Sequence, residues 1–227
     1  LPKSTYQGGI DNGVASQTNS KYTRELIDAT LTYNKVLDEV HSLGAMGGFA
    51  YEKTVASSQY VGVKGFSTDL FSFNNLGAAS TITGVSSSKS ESMLRSFFGR
   101  LNYSYKDKYL ATFTFRSDQS SRLGIENQFG FFPSGSLAWR MDQEDFIKNL
   151  NVFSNLKFRL SYGVTGNDQV GPYASMALMS NSHLTYDGST NTGGVHMNPG
   201  TPENPDLKWE STVQYNAGFD MGFFNSR

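Results

Sequence analysis

Apolar and polar residues alternate with a period of two along most of this chain, the mark of strands with two unlike faces. Seven runs carry the pattern. In residues 21–34, Ile27, Ala29, Leu31 and Tyr33 share one face, and Asp28, Thr30, Thr32 and Asn34 the other. Residues 40–53 align Leu43, Ala45, Gly47, Phe49 and Tyr51. Residues 94–105 set Phe97, Gly99, Leu101, Tyr103 and Tyr105 against Arg100, Asn102 and Ser104. After a short break, Tyr109, Ala111, Phe113 and Phe115 oppose Thr112, Thr114, Arg116 and Asp118. Residues 131–142 oppose Leu137, Trp139 and Met141 to Ser134, Ser136, Arg140 and Asp142. The cleanest run is 155–165, where Leu156, Phe158, Leu160, Tyr162 and Val164 face away from Lys157, Arg159, Ser161 and Thr165. The last, 211–223, opposes Val213, Tyr215, Ala217, Phe219, Met221 and Phe223 to Gln214, Asn216 and Asp220.

These runs are roughly twice the length of the usual globular strand of about 5–6 residues. Their connections sort by length. Residues 35–39 and Lys106-Asp107-Lys108 are brief, and 143–154 has room for one or two helical turns, with Asp142 as cap and Phe146 and Leu150 spaced i, i+4. The alternate connections, 54–93, 119–130 and 166–210, are long. All long loops therefore fall at one edge of the sheet, as in a transmembrane β-barrel. A soluble β-sandwich also alternates. Charged residues in mid-strand on the polar face, and Tyr103, Tyr105, Tyr109, Trp139 and Tyr162 toward strand ends, favour the barrel. The expected fold is all-β: an antiparallel, up-and-down transmembrane β-barrel segment of about seven strands.

Composition agrees. Charged residues are 17% of the 227, and 19 Lys+Arg against 20 Asp+Glu leave a net charge of −1. That balance is unlike a nucleic-acid binder, which carries a basic excess. With no Cys, thiol catalysis, Cys-ligated zinc and iron–sulfur clusters are excluded. No apolar run of about 18 residues is present for a membrane helix, and the first residues lack the basic and apolar regions of a signal peptide.

At 97–130 the residues become recognisable. FFGRLNYSYKDKYLATFTFRSDQSSRLG, GFFPSGSLAWRMDQEDFIKN, SNLKFRLSYGVTGN and NPDLKWESTVQYNAGFDMGFFNSR, in that order, resemble the SusC/RagA-type TonB-linked outer-membrane receptors of Bacteroidetes-type bacteria. The resemblance spans about 20–227; 1–19, 54–92 and 168–200 carry no match. Where the family commonly reads D-G-S-S-R-F-G, this chain has Asp118-Gln119-Ser120-Ser121-Arg122-Leu123-Gly124, so a turn loses its first glycine. The resemblance implies that residues 1–227 are part of the C-terminal half of a barrel of about 22 strands. It implies as well that the family's plug domain and signal peptide lie outside residues 1–227. It further implies localisation in the bacterial outer membrane and uptake of nutrients, oligosaccharides or peptides. The implied partners are outer-membrane lipid, a SusD-type surface lipoprotein, and TonB acting through the plug. The alternative is a secreted β-sandwich carbohydrate-binding module without transport.

Candidate chemistry is sparse. His41 lies at a turn and His183 and His196 in a loop, with no metal-site spacing. Ser86-Ser87-Ser88-Lys89 matches S-x-x-K only formally, in a Ser-rich stretch without a helical face. Glu144 and Asp145 beside Asp142 suit a capped turn better than an acid/base pair. No catalytic residue, cofactor or metal site is expected, and no enzymatic activity. The aromatics Tyr60, Phe66, Phe71, Phe73, Tyr173 and Tyr186 are weak candidates for stacking on substrate, or else pack the loops internally. Arg100, Arg116, Arg140, Lys157 and Arg159 are expected to face the lumen, where plug carboxylates or solvent must meet their charge.

Overall fold

The structure is a computed structural model, and it describes residues 1–183 and 195–223. Seven strands form one sheet: β1 (Val14–Leu37), β2 (His41–Phe66), β3 (Ala79–Tyr105), β4 (Tyr109–Ser120), β5 (Phe129–Arg140), β6 (Phe153–Asn167) and β9 (Glu210–Phe223). Each pairs with its neighbour in chain order, β1-β2-β3-β4-β5-β6-β9. A separate two-stranded hairpin, β7 (Met179–His183) with β8 (Val195–Pro199), lies in the connection between β6 and β9. Among the described residues, helix is limited to α1 (Tyr6–Ile10), α2 (Asp145–Lys148) and a few 3-10 turns. Among the described residues no helix is long and apolar enough to cross a membrane.

The chain divides into two compact units. The first comprises Leu1–Glu25 and Lys53–Ser92. Its small core holds Val63 and Phe66, and Lys64 pairs with Asp11 at 3.0 Å. The second comprises Leu26–Glu52 and Met93–Arg227 and contains the four strands β4, β5, β6 and β9 whole.

Short connections are built as expected. Lys106 and Asp107 both have positive φ, and Lys108 N–H donates to the Tyr105 carbonyl at 3.0 Å. Asp38 and Glu39 repeat that geometry between β1 and β2, with Val40 N–H on the Leu37 carbonyl at 3.2 Å. Each is a three-residue connection with two successive residues in the left-handed region, closed by a hydrogen bond from residue i+3 to residue i. Both tolerate left-handed backbone without glycine, and Asp is among the residues that do so most readily.

The sequence reading is corrected in three places. The stretch 54–93 is mostly strand rather than loop: β2 runs on to Phe66 and β3 begins at Ala79. Asp142 does not cap α2; it sits in a 3-10 turn where Gln143 Nε2 donates to it at 2.8 Å, and Glu144 occupies the N-cap position with no side-chain bond to the helix backbone. Ile147 is the buried residue of α2, while Phe146 and Leu150 stay exposed. The missing glycine at 119 has no consequence, because Gln119 continues β4 opposite Arg95.

Candidate functional site

The register converts sequence alternation into rows running across the second unit. Tyr103, Ala111, Leu137, Leu160 and Ala217 form one row over β3, β4, β5, β6 and β9. Leu101, Phe113, Gly135, Tyr162 and Tyr215 form the next. Leu137 is 60% exposed and Leu160 43%, so no second layer covers this face among the described residues. A β-sandwich buries its apolar face against a partner sheet; the expectation of an open, apolar wall is met instead.

Toward the short turns lies a row that is aromatic throughout: Tyr105, Tyr109, Trp139, Phe158 and Phe219. Tyr109 and Trp139 stack with centroids 6.3 Å apart, and Phe158 meets Phe219 at 4.7 Å. His41 extends the cluster, 4.9 Å from the Tyr105 ring and bonded to the Tyr103 hydroxyl at 2.8 Å. Such a belt fits a boundary where ring bodies meet hydrocarbon and polar tips meet water. Tyr162 is not part of this row; it pairs with Tyr215.

The opposite face is polar. Asn102, Thr112, Ser136, Ser161 and Asn216 form a neutral row, and Thr112 Oγ1 donates to Asn102 Oδ1 at 3.0 Å. Three of the five basic residues assigned to this face meet carboxylates of this same chain. Arg116 Nε reaches Asp118 at 2.7 Å, Arg159 Nη2 reaches Asp220 at 2.8 Å, and Arg140 Nη2 approaches Asp142 at 3.4 Å. Arg100 and Lys157 have no ion-pair partner among the described residues. Arg116 also donates to Ser96 Oγ at 2.8 Å, and Ser96 and Asp118 are buried beneath it.

The long loops interlock beyond this polar face. Ser120 Oγ donates to Asp168 Oδ2 at 2.7 Å, and Gly124 N–H donates to the Leu207 carbonyl at 2.9 Å. Trp209 Nε1 donates to the Gln128 carbonyl at 3.0 Å, and Ser175 Oγ to the Leu123 carbonyl at 3.2 Å. Leu123 is buried beneath these contacts, 1% exposed. Gly124 is needed for the approach, since a Cβ there would collide with the Pro205 carbonyl. Phe132 turns its ring to the polar side, over Gly166 and edge-on to Trp209 at 5.2 Å.

At the other end, Glu144 gathers three donors: Tyr109 Oη at 2.7 Å, Lys108 Nζ at 3.1 Å and Trp139 Nε1 at 3.2 Å. The Tyr109 hydroxyl bond, then Lys108 and Trp139, hold the Glu144 carboxyl below its ordinary pKa, and Glu144 raises that of Lys108. Sequence reasoning missed this hub, as it missed Ser120, Asp168 and Trp209. The signal for Glu144 was its place just past the end of an aromatic-terminated strand.

The candidate aromatics do not form one site. Phe66 is buried at 7% and cannot stack on a ligand. Tyr60, Phe71 and Phe73 are exposed in the first unit, with Tyr60 on β2 rather than in a loop. Tyr173 is half-buried in the second unit with a φ of 64°. Tyr186 lies outside the described residues. Ser86 and Lys89 sit on β3, where a spacing of three puts them on opposite faces. Among the described residues no three His, Asp or Glu side chains converge as a metal site requires.

An up-and-down wall with one apolar and one polar face, an aromatic belt and long loops at one edge defines a β-barrel segment. Residues 3–227 match the family described as TonB dependent receptor-like, beta-barrel, and the chain belongs to that family. It is 37% identical over 218 residues to TonB-dependent receptor P3 of Formosa agariphila, covering 95% of this chain and 21% of that protein. It is 42% identical over 139 residues to TonB-dependent receptor SusC of Bacteroides thetaiotaomicron, covering 59% of this chain and 14% of that protein. Among solved structures, the RagAB peptide transporter superposes with a TM-score of 0.85 at 29% identity, over 94% of this chain and 23% of that one. The chain thus spans about a fifth to a quarter of the length of most of these relatives. This is the kinship that the four sequence blocks implied.

Proposed function

We propose that this chain is a stretch of barrel wall from an outer-membrane importer of the SusC/RagA kind, one that takes up bulky nutrients such as oligosaccharides or peptides. The observation that carries this is the pairing of exposed apolar rows with a polar, charged opposite face: the first meets lipid, the second lines the passage. The named relatives support the reading. In such a receptor a SusD-type lipoprotein covers the external mouth, and TonB drives transport through a plug domain within the lumen. Arg100 and Lys157, which have no ion-pair partner among the described residues, are the ones that would meet carboxylates of that plug or of a passing ligand. Arg116, Arg140 and Arg159 serve to stiffen the wall through their own partners. Tyr60, Phe71 and Phe73, exposed in the first unit, are the aromatics offered to substrate or lipoprotein. The role is transport rather than catalysis.

The test uses the full-length protein in its native envelope. Recovery in the outer-membrane fraction, with uptake of labelled oligosaccharides or peptides that stops when the proton-motive force is collapsed, is the expected result. Recovery in the soluble periplasm would end the reading.

A further inference from the structure

The connection between β5 and β6, residues 141–152, is not an ordinary turn. It exposes Phe146 at 60%, Leu150 at 56% and Val152 at 37% within a few residues of one another. Water gives no reason to present three large apolar side chains together. The connection is also firmly placed. Ile147 is buried, and the Glu144 carboxylate is bonded to Tyr109 and Trp139.

Those two partners decide where the segment lies. Tyr109 and Trp139 belong to the aromatic row and to the apolar face, not to the polar one. Glu144 therefore ties the connection beside the apolar wall at the level where the rings end. The charges of the segment and its neighbouring turn are mixed: Lys106, Lys108 and Lys148 against Asp107, Asp142, Glu144 and Asp145. This is a polar frame around an apolar tip, the composition of a segment that rests at a headgroup boundary rather than one that binds an ion.

We propose that residues 141–152 form an interfacial foot, with Glu144 holding Phe146 and Leu150 in the boundary between headgroups and acyl chains of the leaflet nearest the short turns. The occupant is phospholipid, argued from the continuity of the foot with the apolar wall through the aromatic row. The inference rests on the membrane-wall reading above and adds a specific contact to it. The foot fixes the depth of the wall: the rows above it stay in hydrocarbon, and the turn at Lys106 and Asp107 stays in water.

The test places nitroxide labels, one at a time, in the full-length protein reconstituted in phospholipid vesicles. The positions are Phe146→Cys, Leu150→Cys, Leu160→Cys and Asp107→Cys, with any cysteine outside this chain replaced. Collision with oxygen reports hydrocarbon, and collision with a water-soluble nickel chelate reports water. The labels at 146 and 150 are expected at a depth between 160 and 107, several-fold less accessible to nickel than 107. Adding Glu144→Ala should move the label at 146 toward the aqueous value while leaving 160 unchanged. If 146 and 150 read like 107 while 160 reads as hydrocarbon, the foot is wrong and the wall stands. If 160 itself reads as aqueous, the wall reading falls and the foot with it.

Discussion

Ser120 and Asp168, far apart in sequence, are joined by a 2.7 Å hydrogen bond from a hydroxyl that is 0% exposed. Ser120 ends β4 and Asp168 follows β6, so this one bond ties the roots of two long loops together. A hydrogen bond to a charged group is worth about 1.5–3 kcal/mol, and more is lost if the buried partner is stranded. Ser120→Ala should release the 168–209 segment by about that amount. The expected readout is faster proteolytic cleavage within 168–209 of the full-length protein in membranes, with barrel assembly unchanged. Unaltered cleavage would show that the other loop contacts suffice.

Gly124 gives a steeper version of the same experiment. Its Cα passes the Pro205 carbonyl so closely that even a methyl group must displace backbone, not a flexible side chain. Gly124→Ala should cost about 1–3 kcal/mol, the range for inserting a methyl into a packed site. Hydrogen exchange at the Gly124 amide, bonded to Leu207, is the direct measure. Protection retained at wild-type level would contradict this close approach of Gly124 to Pro205.

How much of this was legible in the sequence follows from which groups leave a periodic trace. Leu137, Leu160 and Ala217 were assigned to one face because a sheet with one apolar face needs every second residue to be apolar. The upper reaches of β2 and β3 were missed for the converse reason. Ser86, Ser87 and Ser88 lie in strand, yet no face there carries a sustained apolar row, so backbone pairing holds them without a side-chain signature. Arg116 and Asp118, two apart on one strand, were predicted to share a face; that they pair with each other rather than with another domain needed the side-chain geometry. Ser120, Asp168 and Trp209 meet only through tertiary closure, and no local spacing encodes that.

The Glu144 hub predicts a dependence on pH. Its carboxyl pKa is lower in the folded protein than in the unfolded chain, chiefly through the Tyr109 bond. A depressed acid contributes stability above its unfolded pKa and loses it as pH falls through the folded value. The connection should therefore loosen in acid, below the ordinary carboxylate range. Lys108, raised by Glu144, works the other way: its contribution is present below the unfolded lysine pKa and fades as pH rises through the folded one. A fluorine-labelled Trp139, whose indole donates to Glu144, should shift on the acid limb, and Glu144→Gln should abolish that transition. A titration unchanged by Glu144→Gln would remove the hub as its cause.

The facing of β6 is tested most sharply by two adjacent positions. Leu160 lies in the apolar row between Leu137 and Ala217, and Ser161 in the neutral polar row between Ser136 and Asn216. At about 3.3 Å per residue the 12 residues of β4 or β5 extend about 40 Å, and a tilt of about 40° brings their height near the 30 Å of a hydrocarbon core. Leu160 is well inside such a strand, so an arginine there must be desolvated or drag water inward. Leu160→Arg should destabilise the full-length barrel by roughly 2–4 kcal/mol, the range measured for basic residues near the bilayer midplane. Ser161→Asn, one residue along, exchanges one hydrogen-bonding group for another beside water and should be nearly silent. The midpoint of urea-driven unfolding in vesicles, compared between the two variants, decides it. Equal shifts would mean that both side chains see the same surroundings, and the division of the wall into a lipid face and a wet face would fail at the strand where it is best defined.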